Sequence, residues 1–478
     1  MMARTVTAAA LRGTLGANTH MGWQNTVTWG VANQPKVFAA FAYSGITLFR
    51  DGAPFDWNGL FPVYDRLYRD HGIQLCGGVS APDGHDDVPR YAELETKTPG
   101  MLRAIEGENE TQRAPADAKA DLATLYHSVK NNPTLAHVPV VSCSTTGVNT
   151  IETIGSTAGI SDVSNDHPYS GTSSPGRSIS TSAARMQVAN PGKPMVDSEF
   201  GWSITGLGAW STVSDADRAR FVLLGWMEAA LAGVSTAIIY ALMDNGPPGS
   251  TNNEDSFGMF AQDGTPHASG TAVRNMMAIL ADPATATTGA TVPVTVTESG
   301  PNVLTVTKAD GSQWLVMWPA NDGPAADAKV TVSANVAAFV LHDPIGGPDP
   351  VARTYAGGTS VTVNVPTHPV VLEIGPASVV ASPPGSTASP SGTVLNDATG
   401  SIVDGAGHVY TLVASARGLQ VARDGLVDAP TQQVRLLAWV GATLYQVNVQ
   451  GHGWSKASDA AGAVAGAWTG VTTLPMAS

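Results

Sequence analysis

Cysteine is nearly absent: Cys76 and Cys143 are the only two in 478 residues. Two thiols cannot build a disulfide framework, and neither has the spacing of a metal site. Each lies in or beside an apolar, strand-like run, so two buried free thiols are expected, with a disulfide as the lesser alternative. Charge is also scarce, at 13% of residues, and no long acidic or basic run occurs. The formal net charge of −14 repels phosphate backbones and anionic lipid, which argues against nucleic acid and membrane partners. No stretch approaches the ~20 apolar residues of a bilayer span, and Met1–Ala10 lacks a signal-peptide core. No Gly-rich nucleotide turn follows the first strand. No Gly-x-Ser-x-Gly elbow sits between a strand and a helix, which sets aside a Ser/His/Asp hydrolase. No His/Asp/Glu cluster has catalytic-metal spacing, and no cofactor is expected.

Glycine (51) and proline (32) are abundant beside 43% hydrophobic residues. That mix suits a loop-rich chain with much β structure, and the length suggests two or three domains. From about residue 11 to 280, short apolar strands alternate with helical patterns, as βα units around a parallel sheet do. The strand candidates are Gly13–Ala17, Thr47–Phe49, Gln74–Gly77, Leu102–Glu106, Val138–Ser142, Asp162–His167, Pro194–Asp197 and Ala237–Ala241. In the helix Asp121–Asn131, Leu122, Leu125, Tyr126 and Val129 recur at helical spacing. Ser214 with Asp217 forms a capping-box-like start, and Gly233 ends that helix. Eight βα units of this size match an α/β (β/α)₈ TIM barrel over 1–285; a doubly wound sheet is the competing architecture.

From about 286 the pattern changes to strict alternation, as in Val292, Val294 and Val296 or Trp314, Val316 and Trp318. This reads as an antiparallel β-sandwich over 286–378, packed on the barrel. A Pro/Ser/Gly linker follows at 379–392, then a small all-β module at 393–478. Its aromatics, Tyr410, Trp439, Tyr445, Trp454 and Trp468, are read first as a core and second as a carbohydrate-stacking surface.

Functional side chains of such barrels come from the C-terminal ends of the strands. Those ends carry Asn18, His20 and Trp23; Arg50 and Asp51; Glu106, Glu108, Asn109 and Glu110; His167 and Tyr169; Glu199 and Trp202; Tyr240, Asp244 and Asn245. Two motifs stand out: IEGENE (Ile105–Glu110) after the fourth strand and PMVDSEFGW (Pro194–Trp202) at the seventh. Acetal cleavage needs a proton for the leaving oxygen and a second carboxylate for the oxocarbenium-like centre, and Glu110 and Glu199 can face each other across the mouth. Glu106 and Glu108 are read as supporting or solvated residues, and the loop Asn245–Asp255 as a substrate loop in preference to a cation site.

This order of motifs resembles glycoside hydrolase clan A, families 5 and 39 in particular, over roughly residues 11–376. FRDG (Phe49–Gly52), DHPY (Asp166–Tyr169) and FGMFAQDGTPHAS (Phe257–Ser269) add to it. The resemblance implies a retaining β-glycosidase with Glu110 as acid/base, Glu199 as nucleophile and Asn109 holding the neighbouring substrate hydroxyl. Arg50 and Tyr169 would keep Glu199 ionised and oriented. Glu110 would rest protonated, its pKa raised by burial and by the second carboxylate. Where many members carry a Trp sugar platform at the eighth strand, this chain has Tyr240, so Trp202 or Trp23 is expected to take that role, with His20, His167 and Asp244 as further substrate contacts. The expected partner is a polysaccharide or oligosaccharide, attacked internally by a monomer in a secreted or periplasmic setting. The alternatives are a transglycosylase using the same glutamates and a catalytically silent polysaccharide-binding barrel acting as an adhesin.

Overall fold

The computed structural model describes residues 4–55, 59–145, 150–205, 210, 212–282, 295–320, 329–347 and 351–374. In the last hundred residues it describes 389, 391, 393–397, 401–404, 408–415, 418–423, 426–428, 430–458, 464 and 467–471. The expected linker at 379–392 therefore lies outside the described residues save for 389 and 391, as do Val292 and Val294. The chain divides into two compact units, Met1–Pro376 and Ala377–Ser478.

The first unit opens with a strand, β1 (Arg4–Thr7), and a short helix, α1 (Ala8–Arg12). Eight parallel strands follow: β2 (Leu15–Asn18), β3 (Leu48–Gly52), β4 (Gln74–Gly78), β5 (Leu102–Glu106), β6 (Val140–Val141), β7 (Ser164–Asp166), β8 (Met195–Phe200) and β9 (Thr236–Ile239). They are ordered β6-β5-β4-β3-β2-β9-β8-β7, and a parallel bridge between Val141 and Val163 joins the two ends. Each expected strand is present, and the sheet is a TIM barrel. Its helices are α2 (Gln34–Ser44), α3 (Phe61–His71), α4 (Asp87–Lys97), α5 (Pro115–Asn131), α6 (Ile151–Ile154), α7 (Gly176–Ala189), α8 (Asp215–Ala232) and α9 (Ala268–Ile279). Helix α8 begins as expected: Ser214 accepts from the Asp217 N–H at 3.0 Å and donates to its carboxylate at 2.8 Å. It ends at Gly233, whose φ of 91° is a left-handed cap that glycine adopts without a Cβ penalty.

Alternation along the strands organises the lumen. Leu48, Cys76, Ala104, Val141, Val163, Val196 and Ile238 form a separate apolar cluster, one residue from or beside each of seven strands. Residues two further on face the same side of the sheet. Two on from Leu48, Ala104, Val163 and Val196 stand Arg50, Glu106, Asn165 and Ser198, so a polar layer sits directly above the apolar one. The outward residues of the same strands join the main core with the helices.

The second part of this unit comprises β10 (Thr295–Ser299), β11 (Pro301–Thr307), β12 (Gln313–Pro319), β13 (Lys329–Asp343), β14 (Val351–Asn364) and β15 (Val370–Ile374). With β1 they make one seven-stranded sheet, ordered β1-β11-β12-β15-β13-β10 with β14 on β13. Strand β1 runs parallel to β11 and the other pairs are antiparallel. The long β13 breaks register between Ser333 and Val336, and the sheet encloses its own core around Met317, Val332, Phe339 and Leu372. Glu228 of α8 ties this domain to the barrel, accepting from Asn302 at 2.9 Å and from the Trp318 indole at 2.7 Å.

The second unit holds a four-stranded and a five-stranded antiparallel sheet. Tyr410 and Trp439 lie in its core, while Tyr445, Trp454 and Trp468 are partly exposed. The Trp468 indole donates to Asp428 at 2.8 Å beneath Lys456. Both cysteines are free and buried. Among the described residues no helix is long and apolar enough to cross a membrane.

Candidate active site

Arg50 organises the mouth of the barrel. Its Nε and Nη2 grip Glu106 at 2.5 and 3.0 Å, while Nη1 donates to Asn18 at 2.9 Å and to Glu199 at 2.6 Å. Nη2 also donates to Asn109 at 2.7 Å. The planar fork of arginine can serve several acceptors at once, which an ammonium cannot. Burial disfavours the guanidinium's charge, yet Glu106 and Glu199 more than compensate, so the proton is held more firmly than usual.

Glu106 is fully buried, and it also accepts from Asn165 and Ser198, each at 2.9 Å. Each of these partners is a donor, so Glu106 serves as an acceptor throughout. The expectation of a supporting residue thus sharpens: Glu106 is the centre of the polar layer. Its alternation with Leu102 and Ala104 was the available signal. Glu108, in contrast, pairs with Arg113 at 3.0 Å.

Glu199 accepts from Arg50 on one oxygen and from the Tyr169 hydroxyl on the other, the latter at 2.9 Å. Burial and the Glu199 charge raise the Tyr169 pKa, so this hydroxyl stays a donor. Gly201 permits the close approach behind Glu199, since a Cβ there would lie 2.0 Å from the Tyr240 carbonyl oxygen.

Glu110 follows β5 in a turn where its φ is 47°, a region L side chains rarely adopt. Its N–H donates to the Ser144 hydroxyl at 2.7 Å. Its carboxylate meets His167 Nδ1 at 3.0 Å, and the same nitrogen lies 3.7 Å from Glu199. One atom each of Glu110, His167 and Glu199 lie within 4.8 Å of one another. A cation fits between such groups, and the only grouping of this kind among the described residues is already flanked by Arg50.

The protonation of this group differs from expectation. The hydrogen bond from His167 lowers the Glu110 pKa, against partial burial. Burial opposes charge on His167, but the Glu199 charge and the bond to Glu110 outweigh it and raise its pKa. Glu110 is therefore not held protonated by proximity to Glu199, because an imidazole stands between the two carboxylates.

The remaining expected contacts divide. His20 stacks on Trp23 with ring centroids 3.9 Å apart and meets the Tyr240 hydroxyl at 3.2 Å. Burial lowers its pKa to about 4, so it is neutral. Trp23 is 47% exposed and, with His20, Arg50, Asn109 and Glu199, lines a cavity of about 430 Å³. Two residues fall away. Trp202 is 1% exposed, donates to the Ser173 carbonyl at 3.2 Å and packs between Phe200 and Phe221, so it offers no sugar platform. Asp244 is buried, and its oxygens accept from Gly258 N–H at 2.8 Å and His267 at 2.7 Å, so it pins a loop. The loop 245–255 is likewise self-tied, with Ser250 and Asn252 both donating to Asp255. Trp210 was not anticipated: it is 57% exposed and 5.1 Å from the Tyr169 ring.

No protein-family model matches the sequence, and no curated protein matches it. Among solved structures, the chain is similar to a family 39 glycoside hydrolase from the gut symbiont Bacteroides cellulosilyticus WH2. That match has a TM-score of 0.54 and 13% identity, over 76% of this chain and 82% of the other. A glucosidase from Croceicoccus marinus gives a TM-score of 0.51 and 14% identity, over 78% of this chain and 98% of the other. At these identities the likeness is one of fold, and in that respect the resemblance to clan A holds.

Proposed function

We propose that this chain is a retaining glycoside hydrolase acting within β-linked polysaccharides, with Glu199 as nucleophile and Glu110 as acid/base. The observation that carries this reading is the carboxylate pair: oxygens of Glu110 and Glu199 come within 4.8 Å at the rim of a cavity. Oxygens that close are compatible with the ~5–5.5 Å carboxyl separation of double displacement, whereas inversion sets its carboxyls ~6.5–9.5 Å apart to admit a water. Glu199 attacks the anomeric carbon while Arg50 and Tyr169 hold its two oxygens. Glu110 delivers a proton to the departing oxygen, and then takes one from the water that releases the glycosyl-enzyme.

The source of that proton can be traced. Ser198 Oγ lies 2.9 Å from both Glu106 and His167 Nε2. Its single proton goes to the buried carboxylate, so it accepts from Nε2–H. A neutral His167 therefore presents a bare Nδ1 to Glu110, and one proton must lie between them. Glu110 and Nδ1 share it, and transfer to the leaving group draws it through Glu110. An internal point of attack is supported by open space on two sides of the rim, the cavity beside β2–β4 and a cleft beside β7 and α7.

The test is product release from a panel of β-glucans, xylan, mannan and bacterial exopolysaccharides, with Glu110→Gln and Glu199→Gln alongside. One polymer cut by the wild type and by neither variant is the expected result. Equal cutting by the variants would remove the assigned pair, and binding without cutting would favour a carbohydrate-binding barrel.

A further inference from the structure

The cleft beside β7 and α7 has a volume of about 560 Å³, and His167 and Tyr169, which hold the two glutamates, form part of its wall. It belongs to the β7 side of the rim, away from the cavity with Trp23. Hydroxyl side chains dominate its lining, among them Thr145, Ser170, Ser174 and Ser178. The cleft carries two guanidinium groups, Arg177 and Arg185. Arg185 is paired with Glu152 at 2.8 Å. Arg177 makes no side-chain hydrogen bond or ion pair with any described residue. The one acid in the lining, Asp166, is occupied by the hydroxyls of Thr145 and Ser182 at 2.9 and 2.7 Å.

In a chain with 39 acidic and 25 basic residues, Arg177 is exposed and spends none of its donors on a described residue, so its guanidinium is free to meet an anion that enters the hydroxyl-lined cleft. We infer that this cleft is a subsite for an anionic sugar residue, with Arg177 pairing its carboxylate or sulfate and the surrounding hydroxyls meeting its ring oxygens. A guanidinium binds either anion through two parallel N–H donors. Trp210, exposed against Tyr169 near the cleft, supplies a ring face for the same sugar; its indole nitrogen lies 3.9 Å from where a Cβ on Gly171 would stand. The substrate class is then an acidic polysaccharide, and this rests on the glycosidase reading above.

The experiment uses the full chain carrying Glu199→Gln, so that oligosaccharides bind without being cut. Titration calorimetry at about 0.15 M salt, where the Debye length is ~8 Å, compares a uronate oligosaccharide, its carboxyl-reduced counterpart and a sulfated one. The expected result is tighter binding of one anionic form by about 10- to 100-fold, a preference that Arg177→Gln abolishes, since a charged hydrogen bond is lost. Arg177→Lys should recover part of it. Equal binding of acidic and reduced forms, or equal weakening of both by Arg177→Gln, would overturn the inference. The wild-type enzyme is then given the same sugars. Selective binding without cleavage of any of them leaves the subsite standing and removes the glycosidase reading.

Discussion

His167 offers the sharpest test of how this site manages its proton. The substitution His167→Gln keeps a donor near Ser198 and removes Nδ1, the atom 3.0 Å from Glu110. In the wild type, the pair loses its shared proton only as pH climbs through the raised His167 pKa, above the ordinary 6.5. The active protonation state therefore persists to higher pH than an ordinary imidazole would allow. Without the imidazole Glu110 has no partner to share that proton with, and an unperturbed glutamic acid (~4.3) keeps its proton in about one molecule in 500 at pH 7 and about one in 6 at pH 5. The loss of kcat/KM should thus be on the order of 100-fold at pH 7 and only several-fold at pH 5. The assay is a pH profile of kcat/KM, which reports free-enzyme ionisations. A variant profile parallel to that of the wild type, displaced by a constant factor, would refute the shared proton. Stability carries the same signature. The raised pKa of His167 contributes fully below pH 6.5, and the lowered pKa of Glu110 contributes fully above pH 4.5. The gap in urea midpoint between the two proteins should be widest inside that window and shrink on either side.

Two further substitutions follow from named contacts. Arg50→Lys keeps the charge but cannot reach Asn18, Glu106, Asn109 and Glu199 together. Losing two charge-assisted bonds at ~1.5–3 kcal/mol each should cut single-turnover rates by about 10²- to 10⁴-fold, and a loss under threefold would contradict the account. Glu228→Ala strands the buried Trp318 indole and the half-buried Asn302 amide. It should lower unfolding stability by about 2–4 kcal/mol in denaturant titrations, with Glu228→Gln costing about half as much because it retains an acceptor.

Much of the scaffold was legible because two periodicities carry it. The eight strand runs and the Ser214 to Gly233 helix came directly from alternation, capping and helical spacing, and Arg50, Asn109, Tyr169 and Glu199 fall on the rim those runs define. What was misread depended on contacts between distant strands. Trp202 lies three residues beyond Glu199, but the chain there turns the ring back against Phe200 and Phe221. Asp244 looks like a rim acid until His267, 23 residues later, is seen to hold it. Two facing carboxylates imply a raised pKa for Glu110, and the imidazole of His167, just after β7, stands between them and reverses the sign. Trp210 lies in a stretch of sequence without periodicity, so no pattern marks it. Strand β1 pairs with β11 some 300 positions away, a partnership no local signal encodes.

The charge balance at the rim bears on reaction class. Glu106, Glu110 and Glu199 face Arg50 and a proton-bearing His167, so the group carries one net negative charge whichever member of the Glu110–His167 pair holds the proton. Charge that develops beside such a group in a buried site is stabilised when it is positive and opposed when it is negative. An oxocarbenium-like centre brings positive charge onto the sugar ring next to Glu199. A tetrahedral acyl intermediate would bring an oxyanion, and the hydroxyl of Tyr169, already donating to Glu199, is not available to receive it. The same reasoning explains why Arg177 stands apart from the reacting pair. A second fixed cation beside Arg50 would cancel the remaining negative charge, whereas one placed along the cleft can hold an anionic sugar without doing so.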